Sequence, residues 1–208
     1  MSHHFFNSRN AGFTLVEALV SIAIIVVIIS VITFNQSRYT DTASLNNLAD
    51  EMTLSLSQAQ VYSLSVKELS TGSGVFNASY GLMFQPASTD AAYFRFADAT
   101  PKNGYYDGPW SCPIGSGSEC LEKVAITRGN QITGICAIRE NGTEQCSIGR
   151  VDITFTRPET AANFIYWNNG ASGTLVVQNS VGAKITLTSP NGVTRLVKVY
   201  NTGQFSVQ

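Results

Sequence analysis

The sequence predicts an α+β fold: one long amino-terminal helix, membrane-spanning over its first part, packed by its second part on a largely antiparallel sheet or sandwich. Three observations predict it. An apolar run extends from Phe13 to Phe34 with Glu17 as its only charged side chain. Apolar residues then recur at helical spacing from Leu45. Beyond residue 70 the pattern changes to short β-rich runs separated by turn residues.

Phe13–Phe34 is long enough, at ~1.5 Å per helical residue, to reach across the ~30 Å apolar core of a bilayer. Its Ile and Val content does not favour a helix by propensity. Lipid overrides this, because the backbone must satisfy its own hydrogen bonds there. An ordinary cleaved signal has an apolar region of only ~7–15 residues followed by a small-residue cut site. Asn35-Gln36-Ser37-Arg38-Tyr39 offers no such site. A buried core helix is disfavoured by the same length, and a plain anchor leaves Glu17 unexplained. A lone carboxylate near the end of such a segment costs about 2.5–3.5 kcal/mol on insertion scales, so a partner or a function is expected to retain it.

The helix is expected to continue through residues 35–69 as an amphipathic segment ending near Lys67. Leu45, Leu48, Ala49, Met52, Leu56, Ala59 and Val66 form its apolar stripe, with Asn46, Asn47, Asp50 and Ser57 left for the opposite side. Residues 70–208 then read as a β-rich globular domain. Tyr80–Phe84, Tyr93–Phe96, Val151–Phe155, Thr174–Val177 and Lys184–Leu187 have strand composition. Pro190-Asn191-Gly192 predicts a hairpin between Lys184–Thr188 and Val193–Tyr200, and Asn201-Thr202-Gly203 admits a last strand, Gln204–Val207.

At 208 residues with 44% hydrophobic and 13% charged side chains, the chain accommodates one anchor and one domain. All four cysteines, Cys112, Cys120, Cys136 and Cys146, fall in the distal part, an even number suited to disulfides in an oxidising, extracytoplasmic compartment. Their spacing allows Cys112 with Cys120 and Cys136 with Cys146, although four cysteines permit three pairings. No Cys-x-x-Cys occurs and the only histidines are His3 and His4, so neither a metal site nor another cofactor is predicted.

Ala11-Gly12-Phe13-Thr14-Leu15-Val16-Glu17-Ala18-Leu19-Val20 resembles the leader junction of type IV prepilins and type II secretion pseudopilins. The resemblance implies a leader, residues 1–12, removed after Gly12 by an inner-membrane prepilin peptidase, and N-methylation of the new terminus, Phe13. It makes residues 13–34 the transmembrane and assembly helix of a pilin-like fold, with Glu17 at the position where the family holds its assembly glutamate. The partners it implies are the peptidase, the inner membrane and other pilin or pseudopilin subunits of a filament. Leu54–Ser63 is similar to the second helical segment of GspH/FimT-type minor subunits, and Thr194–Phe205 to their terminal hairpin. Asp98–Ser147, which holds every cysteine, reads as an insertion (about 98–147) on that pattern.

Loss of the leader removes Arg9 and leaves 12 basic against 14 acidic side chains, a formal charge of −2 that advertises no polyanionic partner. Some FimT-type proteins bind DNA through basic residues near the C-terminal end. Here Lys184, Arg195 and Lys198 supply too few phosphate contacts, and DNA binding is not predicted. The expected mature chain lacks histidine, which excludes Ser-His-Asp and Cys-His catalysis. Asp98, Asp107, Glu119, Glu122 and Asp152 have no spacing that selects a carboxylate pair. Tyr105, Tyr106, Trp110, Tyr166 and Trp167 are read as anchors of core or loop before they are read as a recognition surface. The expectation is a non-enzymatic subunit, minor rather than major, of a type IV pilus or type II secretion pseudopilus. The alternatives are a major pilin of a divergent pilus and a tethered binding domain that never polymerises.

Overall fold

A computed structural model describes residues 12–65, 68–69, 74, 76–86, 90–99, 101–112, 119–168 and 173–208. The elements in chain order are helix α1 (Leu15–Leu64) and strands β1 (Ser79–Phe84), β2 (Ala92–Asp98), β3 (Cys120–Ala125), β4 (Gln131–Arg139) and β5 (Glu144–Gln145). They continue with β6 (Ile148–Phe155), β7 (Ala162–Asn168), β8 (Thr174–Leu175), β9 (Ser180–Thr188), β10 (Thr194–Tyr200) and β11 (Phe205–Val207). The fold is α+β, and its strands form two antiparallel sheets. One runs β3-β2-β1-β6-β7-β8 and the other β11-β10-β9-β4-β5. The chain divides into two compact units, Met1–Thr40 and Asp41–Gln208.

Within Met1–Thr40, α1 is apolar on every side from Leu15 to Thr33. Its candidate spanning segment, Leu15–Thr33, has a mean hydropathy of 3.0 and is buried nowhere. Consecutive residues from Ile24 to Ile29 are all more than half exposed, so no single stripe faces a protein core. The segment's hydroxyls are satisfied within the helix. Ser21, Ser30 and Thr33 donate to the carbonyls of Glu17, Val26 and Ile29 at 2.8, 2.7 and 2.8 Å, which removes the cost of taking them into hydrocarbon.

Within Asp41–Gln208 the same helix behaves conventionally. Leu45, Leu48, Ala49, Met52, Leu56 and Ala59 are buried in one core with Leu82, Phe84, Tyr93 and Ile153 of the first sheet and Ile135, Ile185, Leu187, Val197 and Val199 of the second. Each fully buried Leu or Met stabilises by roughly 1.5–3 kcal/mol. Polar bonds tie the helix to the sheets: Ser44 accepts from Asn130 Nδ2 (2.9 Å), Asn46 from Arg195 Nε (2.6 Å), and Gln60 Nε2 donates to the Thr160 carbonyl (3.0 Å). Asn46, expected on the outward side, therefore turns toward β10, because a guanidinium beside the helix needs an acceptor. The helix ends at Leu64, short of the expected Lys67; Val66 and Lys67 lie outside the described residues.

The hairpin predicted at Pro190-Asn191-Gly192 joins β9 and β10. Ser189 N donates to Val193 O at 2.9 Å, and Gly192 has φ 78°. Gly203 makes the β10–β11 turn at φ 81°, and a Cβ there would lie 2.3 Å from the Thr160 carbonyl, so glycine is demanded twice over. The Thr174–Val177 run pairs only over Thr174–Leu175, and Val176 is 83% exposed. Residues 98–147 supply β3, β4 and β5, with β4 between β9 and β5 and its Ile132, Ile135 and Ala137 in the core.

Strand β1 is buried on both faces. Its Tyr80, Leu82 and Phe84 face the main core, while Met83 on the other face joins Phe94, Phe96, Tyr106, Cys112 and Cys120 in a second cluster. The segment 99–112 makes that second layer, and the Cys112–Cys120 disulfide fastens it to the start of β3.

Candidate functional site at the helix amino terminus

Helix α1 begins where its own sequence caps it. Thr14 Oγ1 accepts the Glu17 N–H at 3.2 Å, and Thr14 O accepts the Ala18 N–H at 3.1 Å. Thr14 is thus the N-cap and Glu17 the third helical residue, the Thr-x-x-Glu spacing of a capping box. Sequence reasoning assigned Glu17 to assembly and missed Thr14, although the capping spacing was there to be read. Glu17 is the one acidic residue of the first turn, where the helix dipole favours a negative charge.

Around this cap the chain is bare. Gly12 is exposed, with nothing within 4 Å of where a Cβ would stand, and Phe13 and Leu15 are each 80% exposed. A protease could therefore approach the Gly12–Phe13 bond without displacing any described side chain. Residues 1–11, which include most of the expected leader, lie outside the described residues.

The other sequence candidates are drawn into the structure of the distal unit. The cysteines form two disulfides, Cys112–Cys120 and Cys136–Cys146, with Cα separations of 5.3 and 4.0 Å. Glu144 lies beside the second, but both sulfurs are bonded to each other and Glu144 pairs with Lys184, so the group offers no thiolate to a metal. Lys184 stands opposite Lys198 across β9 and β10, whereas Arg195 has the parity of the core residues Val197 and Val199 and bonds Asn46. The three cations therefore make no common patch.

Of the five acids noted in sequence, Glu122 pairs with Arg95 at 2.7 Å on the first sheet. The other four gather where segment 99–112 covers that sheet. Asp152, fully buried on β6, accepts from Arg150 Nη2 (2.8 Å), Trp167 Nε1 (2.6 Å) and Tyr106 N (3.2 Å). Burial pushes its carboxyl up, and Arg150 opposes the shift. Asp98 is also pushed up by burial, against the pull of the N–H groups of Asn103 and Gly104. Burial and then the Asp107 charge raise Glu119 to about 7, and one of its oxygens, Oε1, has no hydrogen-bond partner among the described residues. These acids order a loop; Asp152 has no solvent access through which a substrate could reach it. Tyr106 and Tyr166 are buried, Trp110 packs on Phe94 (4.6 Å), and Tyr105 meets Trp167 edge-on (5.1 Å). All five aromatics serve as anchors.

Residues 7–33 match the prokaryotic N-terminal methylation motif. No curated protein and no solved structure matches the chain. The match spans Gly12 and Phe13, the capped first turn and the apolar segment of the helix, and leaves the distal unit unmatched. It supports a type IV pilin-like precursor, of the kind processed by prepilin peptidase and anchored by its amino-terminal helix.

Proposed function

We propose that the protein is a structural, non-enzymatic subunit, a minor pilin or pseudopilin of the GspH/FimT kind, assembled into a type IV pilus or a type II secretion pseudopilus. The observation that carries this reading is the coincidence of the methylation motif with a helical segment, Leu15–Thr33, that is apolar on all sides and holds one carboxylate, at its capped first turn. Prepilin peptidase cuts after Gly12 and Phe13 becomes the methylated terminus. Until assembly the helix holds the subunit in the inner membrane, with the disulfide-bearing unit on the oxidising side.

Glu17 then sets the register between subunits by pairing with the cationic amine of a neighbouring Phe13. At an effective dielectric of ~20, opposite charges ~4 Å apart attract by about 4 kcal/mol, enough to offset the insertion cost of the carboxylate. The test is the intact mass and amino-terminal sequence of the protein produced with and without a prepilin peptidase. A chain that starts at N-methyl-Phe13 only when the peptidase is present supports the proposal. A chain that still starts at Met1, or one cut beyond Phe34, overturns it.

A further inference from the structure

Strand β7 runs from Ala162 to Asn168, but its outer neighbour β8 pairs with it only at Tyr166 and Trp167. Beside the uncovered part lies a groove of about 640 Å³, bordered also by the chain after β8 and by Asn201 at the end of β10. The volume lies within the ~300–1,000 Å³ range of small-molecule sites. What distinguishes the groove is its chemistry. None of its described lining residues is ionisable at neutral pH. Two asparagines, Asn179 and Asn201, line it with Thr174, and Asn163 borders it from the face of β7 opposite Phe164.

A carboxamide both donates and accepts, so this set suits a ligand whose own groups do both, and it offers no cation to a phosphate or a carboxylate. The half-buried Phe164 ring on β7, stacked on Tyr166 with an interplanar angle of 7°, supplies a flat apolar wall. Val176, the most exposed large apolar side chain among the described residues of the distal unit, stands at the rim. A neighbouring hollow that shares Val176 and Asn179 with the groove is different in kind, because Arg139 and Glu140 line it.

We propose that the β7–β8 groove binds a neutral saccharide of two or three units. Its hydroxyls take the carboxamides, and the C–H face of one ring lies on Phe164. An array of neutral hydrogen bonds is weak when solvent-exposed, so the expected affinity is on the order of millimolar.

The full chain, in a zwitterionic detergent without a sugar headgroup, is to be examined by saturation-transfer NMR with lactose, maltose and N,N′-diacetylchitobiose. Sialyllactose and a short uncharged Val/Thr peptide are the comparisons. Transfer to the ring protons of at least one neutral sugar is expected, at least fivefold weaker in Val176→Arg, which fills the groove from an exposed position, and in Phe164→Leu, which keeps the bulk but loses the ring. Unchanged near-ultraviolet circular dichroism shows that each variant is folded. No transfer to any neutral sugar overturns the proposal, as does transfer in both variants equal to that in the wild type. Transfer to the peptide alone also overturns it and makes the groove a site of strand addition.

Discussion

Glu119 keeps its proton to about pH 7 because it is buried and stands beside the Asp107 charge. Unfolding releases it to its ordinary value of 4.5. The folded state therefore binds more protons between these values, so stability is full below about pH 4.5 and declines as pH rises toward 7. Asp98 and Asp152, also raised by burial, contribute with the same sign. Thermal midpoints of the wild type should fall across this window, and Glu119→Gln should fall less steeply; a parallel slope would show that the charge of Glu119 is compensated elsewhere. At the helix start, Thr14→Ala removes the cap and should cost about 1 kcal/mol of helix stability, seen as faster amide exchange in the first turn. Glu17→Val keeps the cap and the apolar surface, yet should prevent incorporation into filaments while leaving membrane insertion intact, as fractionation would show. The Glu17 and Phe13 assignments came from a local pattern. The Glu119 environment was not legible, because Asp98, Asp107, Glu119 and Asp152 meet only after three strands and a loop have been placed.

Among the elements, those with strong local signals were readable: the apolar helix, its stripe from Leu45 to Ala59, and the β9–β10 hairpin with its Pro-Asn-Gly turn. Strands β3, β4 and β7 were not. Cys120–Ala125 sets Glu122 and Lys123 side by side between Leu121 and Val124, and so lacks the period-2 alternation that announces a half-buried strand. Gln131–Arg139 has Gly134 within it, a weak strand by composition that is held by β9 and by core contacts of Ile132 and Ile135. Ala162–Asn168 drew attention for its aromatics rather than its alternation. Segment 99–112 is likewise a product of long-range packing, fixed by Tyr106 stacked on Phe94 and by the Cys112–Cys120 bond. Replacing both of these cysteines by serine should lower stability by somewhat less than ~3 kcal/mol, as expected for so short a loop. Limited proteolysis should then cut first within 99–119, with β9 and β10 still protected.

On the scale of the whole chain, the two compact units differ in what stabilises them. The described residues of Met1–Thr40 bury nothing, whereas the core of Asp41–Gln208 draws on α1 and both sheets. Met52→Ala, at the centre of the helical stripe, should therefore cost 2–5 kcal/mol in denaturant titration of the full chain, while Ile25→Ala should leave the same transition within about 0.5 kcal/mol. The sequence could announce an anchor and a β-rich unit because hydropathy is local. It left a single sheet and a sandwich both open, because the choice depends on long-range pairings such as β1 with β6 and β4 with β9.

The bonds from Asp41 to Asn191, Asn46 to Arg195 and Gln60 to Thr160 have a mechanical meaning. They are spread along roughly 28 Å of helix at ~1.5 Å per residue. Tension drawn along that helix loads them together, in shear, instead of peeling them one at a time. The distal unit should then yield abruptly at high force, and Asn46→Ala with Gln60→Ala should turn that single rupture in an optical trap into an earlier, stepwise one.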